Sequence, residues 1–180
     1  MKLDDLPVDF IMDPSISLGS KSVYLFFVSV ASEDRKVQIS REYILSGLNI
    51  SKQSYYTYLQ ILLDKGYIIR EPQPNHGQSF RTGVFRIAPP VGLRFSIVDK
   101  SIVFASVSAK AKSLYAYYCA KLASPWKNEL TARGIMNDLK IGRSQFNWLN
   151  KELTEEGYIV SVKSGPGKAE GKVSITLRDG

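Results

Sequence analysis

Two stretches of this chain concentrate side chains that can read a base edge or grip a phosphate. In SKQSYYTYLQ (51–60), Ser51, Lys52, Gln53, Tyr56, Thr57 and Gln60 gather at helical spacing. In GRSQFNWLNK (142–151), Arg143, Ser144, Gln145, Asn147, Trp148 and Lys151 do the same. Amides of Gln and Asn can pair with adenine, Arg and Lys can reach guanine, and hydroxyls can serve either. At helical periodicity Tyr55, Tyr58 and Leu62 lie opposite the first set, and Phe146, Leu149 and Leu153 opposite the second. Each stretch therefore reads as a helix with an apolar inner side and an acid-free outer side. Lys52 and Arg143 stand at the helix starts, where free N–H groups and the positive end of the helix dipole also attract phosphate. An ordinary solvated face is the competing explanation for either set. Trp148 needs a partner if exposed: a thymine methyl or sugar, the following hairpin, or a second copy of the chain.

Catalytic chemistry has less support. The chain contains no phosphate-binding loop, dinucleotide fingerprint, His-rich metal motif or nucleophile elbow. The acid pairs Asp4–Asp5, Glu33–Asp34 and Glu155–Glu156 sit where a tail, a loop or a solvated helix end explains them. Cys119 is the only cysteine and His76 the only histidine, so neither an internal disulfide nor a four-ligand zinc site can form from them. Cys119 lies in LYAYYCAKL and reads as a buried core thiol. No catalytic residue, metal, cofactor or small-molecule ligand is expected. Two polar loops extend the candidate surface. NHGQSFR (75–81) offers Asn75, His76, Gln78 and Arg81, and SGPGKAEGK (164–172) offers Lys168 and Lys172 for phosphate or the minor groove. His76 reads as a loop polar residue rather than a pH switch.

The elements that position these side chains are written twice. Residues 60–71, QILLDKGYIIRE, and 151–162, KELTEEGYIVSV, share Gly-Tyr-Ile at an offset of 91. At that offset Ser17, Lys21, Tyr24, Ile44, Leu48, Ile50 and Leu62 fall on Ser108, Lys112, Tyr115, Ile135, Leu139, Ile141 and Leu153 without a gap. Chance matching would not hold register over such a length, so the chain reads as an internal duplication. The 180 residues suit two small domains, 1–90 and 91–180, joined through the Pro-rich IAPPVGLR (87–94).

Each copy predicts the same order. Helix one covers about 18–31 and 109–123 after the cap serines Ser17 and Ser108, with Tyr24, Phe27, Tyr115 and Tyr118 in the core. Helix two follows Ser40 and Thr131, and a tight turn then leads to helix three after Ser51 and Gly142. Helix three stops at Gly66 and Gly157, which can take the left-handed conformation that ends a helix. Two strands follow: YIIREP then VFRI, and YIVSVK then KVSITL. Short extended stretches around Asp9–Met12 and Phe95–Phe104 are candidates for a third strand. The expected class is α+β, mainly α.

Helix, turn, helix and hairpin is the winged helix-turn-helix order. The pattern of Ser17, Lys21 and Tyr24, then Leu48, Ile50 and Ser51, then Gly66-Tyr67-Ile68 resembles tandem winged-helix proteins of Gram-positive mobile elements. These include plasmid and phage replication initiators and conjugative-transfer DNA-binding proteins of the TraN type. Nearly the whole chain is covered, with two departures: Ser20 stands in place of the expected alanine before Lys21, and Gly142 in place of a cap serine. The resemblance implies that helix three of each copy enters the major groove and the hairpin loops brace the backbone.

Charge agrees with a polyanionic partner. The net charge is +7, and residues 96–180 carry 13 Lys+Arg against 8 Asp+Glu while residues 1–95 carry 11 against 9. The expectation is a non-catalytic, sequence-specific double-stranded DNA-binding protein acting as an internal pseudo-dimer, monomeric or weakly dimeric. Its process would be transcriptional or conjugative-transfer regulation. Its site would be bipartite and non-palindromic, and if both heads read one duplex face their centres would lie about 34 Å apart or a multiple of that. A replication initiator is one alternative, and a tandem winged-helix protein adaptor of the chromosome-condensation type is another. With no apolar run of membrane-spanning length and no signal-like N-terminus, a cytoplasmic location is expected.

Overall fold

Local capping chemistry sets the helix ends. The Ser17, Ser40 and Ser51 hydroxyls accept from the backbone N–H of Ser20, Tyr43 and Ser54, and the Thr131 hydroxyl accepts from Gly134. These bonds satisfy donors that a helix start leaves free. Gly142 opens its helix without a side-chain cap. The two Gly-Tyr-Ile segments close helices identically. Gly66 and Gly157 have φ of 72° and 75°. Their N–H groups donate to Leu63 O and Thr154 O, and those of Tyr67 and Tyr158 reach back to Leu62 O and Leu153 O, at 2.9–3.0 Å. This paired arrangement stops a helix with its last carbonyls satisfied.

The computed structural model describes residues 2–72, 82–89, 95–123, 130–164 and 173–177. In chain order the elements of the first copy are β1 (Lys2–Pro7), α1 (Val8–Met12), α2 (Leu18–Val30), β2 (Lys36–Ser40), α3 (Arg41–Leu48), α4 (Lys52–Asp64), β3 (Ile68–Arg70) and β4 (Thr82–Ile87). Those of the second are β5 (Phe95–Asp99), α5 (Ser101–Phe104), α6 (Ala109–Ala123), α7 (Ala132–Leu139), α8 (Arg143–Glu155), β6 (Ile159–Ser164) and β7 (Val173–Leu177). The chain is α+β and mainly helical, with small antiparallel sheets. No helix among the described residues is long and apolar enough to cross a membrane.

The strands differ from expectation in three places. Asp9–Met12 is not extended: it belongs to α1, whose Phe10 and Ile11 are buried. Phe10 lies 4.2 Å from the Tyr24 ring and 4.6 Å from that of Tyr67, so tertiary packing decides the conformation of this short apolar run. Of Phe95–Phe104 only residues 95–99 are a strand, and they pair with β1 rather than with the hairpin, while Ser101–Phe104 is the helix α5, whose Ile102 and Val103 are buried. The third strand of the first hairpin sheet is β2, from between α2 and α3. It gives the order β2–β4–β3, with Val37 opposite Phe85 and Ile68 opposite Ile87. Ile87, which closes the expected strand VFRI and opens IAPPVGLR, is in β4 and buried. The second copy holds the two-stranded β6–β7 sheet, with Ile159 opposite Leu177.

The copies share one core. Shifted by 91 residues, β1–α1 falls on β5–α5, so the duplication reaches back beyond Ser17. Equivalent strands β1 and β5 pair antiparallel, as a local two-fold axis requires. Beside this ribbon α2 packs on α6, and the Ser113 hydroxyl donates to Leu18 O at 2.7 Å. In each copy the tyrosine of Gly-Tyr-Ile meets the helix-one tyrosine edge-on: Tyr67 on Tyr24 at 6.2 Å, Tyr158 on Tyr115 at 5.5 Å. The Tyr118 hydroxyl donates to Asn150 at 2.7 Å, holding α8 against α6. Cys119 is buried, and burial pushes its thiol up to about 12, which leaves it unreactive.

The matched lysines are the least foreseeable part of this core. Lys21 and Lys112 are 2% and 1% exposed. Lys112 Nζ donates to Gly47 O of the other copy at 2.8 Å and to Val103 O at 2.7 Å. Lys21 Nζ has no hydrogen-bond partner among the described residues. Burial lowers both ammonium groups to about 8, with Asp13 and Asp138 partly offsetting this at Lys21.

Candidate nucleic-acid interface

The α3–α4 and α7–α8 turns are built alike. Each passes through one left-handed residue, Asn49 with φ 49° or Lys140 with φ 52°. Leu48 and Leu139 are buried beneath them, with Ile50 and Ile141 half-buried. The turn thus projects the first residues of α4 and α8 outward. Below, Tyr55, Leu59 and Leu62 anchor α4, and Phe146, Leu149 and Leu153 anchor α8. Tyr58 is only half-buried, and Leu59 takes the core position instead. Asn150, which also escaped the periodicity, is buried and donates to Phe146 O at 2.8 Å.

Above that core the candidate side chains form two outer faces. Ser51, Lys52, Gln53, Tyr56, Thr57 and Gln60 are exposed on α4 and its cap, and Arg143, Ser144, Asn147, Trp148 and Lys151 on α8. Gln145 is half-buried. Trp148 is 52% exposed, so most of its apolar surface has no cover among the described residues. Lys52 and Arg143 form no ion pair among the described residues. Exposed, unpaired cations beside amides at a helix start suit phosphate or guanine.

Several of these groups are already committed. The Ser51 hydroxyl serves the cap and donates to Ser54 Oγ at 2.9 Å, and the Thr57 hydroxyl donates to Gln53 O at 3.1 Å. The outer faces are not acid-free along their whole length, because their last turns reach acids near the helix ends. Gln60 Nε2 donates to Asp64 at 2.7 Å, and Lys151 lies 3.6 Å from Glu155. The first two turns therefore carry the more available groups. Arg41, missed in the sequence because it belongs to the preceding helix, donates from Nη1 to the Tyr56 hydroxyl at 3.0 Å and fixes that ring on the α4 face. Its counterpart in the second copy is Ala132, so the two faces differ in their support as well as their composition.

Asn75, His76, Gln78, Arg81, Lys168 and Lys172 lie outside the described residues. Of the acid pairs, Asp34 is tied to Ser32 and Lys36, and Glu155 to Lys151. Among the described residues no group of three His, Cys, Asp or Glu side chains could hold a metal ion. No protein-family model matches the chain, and no curated protein matches it.

Proposed function

We propose that each copy is a winged helix-turn-helix unit and that the chain is a sequence-specific double-stranded DNA-binding protein. In this reading α4 and α8 enter the major groove, and the β3–β4 and β6–β7 hairpins serve as wings. The observation that carries it is the repeated device of a tight turn opening onto a helix start with exposed amides and an unpaired cation, present in both copies. The charge of +7 favours the same partner. Different side chains on the two faces favour an asymmetric site. No observation favours the adaptor reading, since both outer faces are exposed to solvent rather than covered by the neighbouring copy. The resemblance to mobile-element proteins supports regulation of transcription or conjugative transfer, with replication initiation as the alternative.

Selection of bound sequences from a random duplex pool tests the proposal, followed by affinity measurements in a salt series. A recurrent site and affinity that falls steeply with salt are expected. In R143A/N147A, preference should relax in one part of the site, at about 1–3 kcal/mol for each base pair no longer read. In K52A/Q53A the other part should relax. Equal affinity for selected and random duplexes would overturn the reading.

A further inference from the structure

Between the copies lies an open cleft of about 400 Å³. One wall carries Gly19 of α2 and Tyr58 of α4, and the other carries Lys110 of α6, Lys140 and Ile141 of the α7–α8 turn, and Gln145 of α8. The cleft thus reaches from the middle of one candidate reading helix to the first turn of the other. Among the described residues no carboxylate lines it, and its two lysines are exposed and form no ion pair. Asp13, to which the lining Ser15 donates at 2.5 Å, stands beside the floor and faces Lys65 at 3.9 Å, so the exposed, unpaired Lys110 and Lys140 complement a polyanion rather than a neutral ligand.

The helix order links the two faces. α4 packs on α2, α2 on α6, and α6 on α8. Tyr58 of α4 and Gln145 of α8 line the same cleft, so the two candidate reading helices converge on it. A duplex touching both helices passes over the cleft, which brings the backbone between the two contacted grooves against it.

We infer that this cleft seats the phosphate backbone of the duplex between the two heads, with Lys110 and Lys140 as its cationic contacts. The inference rests on the DNA-binding reading above. It adds two residues from elements outside the reading helices, and it places protein contacts on the backbone between the two half-sites.

The test compares the full chain with K110Q/K140Q on the selected duplex. Both side chains are exposed, so the melting temperature should not change. The slope of log affinity against log salt should fall by about 1.8, roughly 0.9 for each phosphate no longer neutralised. Base preference should stay the same. Phosphate ethylation interference should map central phosphates in the wild type, and that central interference should vanish in the variant while the flanking interference persists. An unchanged slope with unchanged central interference would overturn the inference and leave the DNA-binding reading intact. Relaxed base preference in the variant would also overturn it, because the lysines would then be reading bases. If the wild type shows no preference for any duplex, the reading beneath the inference fails instead.

Discussion

The two copies solve one packing problem in opposite ways. Phe26 of α2 and Tyr117 of α6 are equivalent, as are Gly47 of α3 and Asp138 of α7. In the first copy an apolar ring lies where a side chain on residue 47 would go: a Cβ there would stand 2.4 Å from Phe26 Cε2. In the second copy the ring carries a hydroxyl, which donates to Asp138 at 2.6 Å, and Lys121 closes on the same carboxylate at 3.1 Å. The buried lysines follow this difference. Lys112 reaches the bare Gly47 carbonyl, whereas Lys21 has only the field of Asp13 and Asp138. Once duplicated, a core position is free to diverge only together with what it touches.

Substitutions that carry one copy's solution into the other test this view. The largest effect is expected for D138A, which leaves the buried Tyr117 hydroxyl without its acceptor, Lys121 without its ion pair and Lys21 without one of its compensating carboxylates. Chemical denaturation should show a loss of about 2–3 kcal/mol, and adding Y117F should return about 1 of it. Full additivity of the two changes would break the comparison. G47A follows, at about 1–3 kcal/mol, because Phe26 is fully buried and cannot swing aside.

The lysines should then separate in sign. K112M strands two carbonyls and should cost about 1–2 kcal/mol. K21M removes a buried ammonium that has no hydrogen bond and should be neutral or stabilising by about 1 kcal/mol or more. Their titration gives a pH signature. Both are held near 8 in the folded chain, below the ordinary 10.5, so between these values the unfolded chain binds more protons and stability rises with pH. Cys119 and Tyr55, both pushed up to about 12 by burial, oppose this above their ordinary 9 and 10, as do Tyr67, Tyr115, Tyr117 and Tyr118, which burial also raises. Urea unfolding should therefore show a gain from about pH 8 to about pH 9 that fades above it, and K21M should lose about half of that gain. The smallest effects belong to the caps. S51A should cost about 1 kcal/mol, and G142S should add a few tenths to the second copy by giving α8 the missing acceptor.

Much of this organisation is legible in single residues. Gly66 and Gly157 announce helix ends because few other residues tolerate their φ, and Ser17, Ser40, Ser51 and Thr131 announce helix starts because a hydroxyl there has one obvious duty. The outer faces of α4 and α8 follow from the 3.6-residue period, since their apolar counterparts must face inward. By contrast, β2 is a five-residue strand with two apolar side chains, too short a signal to place, and α1 is a single turn whose shape depends on the rings of Tyr24 and Tyr67. The support that Arg41 gives Tyr56 crosses between helices, so no periodicity reports it.

The sequence by itself determined the duplication, the ends of the three longer helices of each copy and the polar faces, because local capping, backbone restriction and periodic burial act over a few residues. Only the tertiary structure decided how the copies meet. Antiparallel pairing of β1 with β5, the packing of α2 on α6, the burial of two lysines and the cleft between Tyr58 and Gln145 all join residues far apart in the chain. A lysine that reads as surface charge in a linear pattern becomes a core group when a second copy closes over it, since burial is a property of the neighbours and not of the residue.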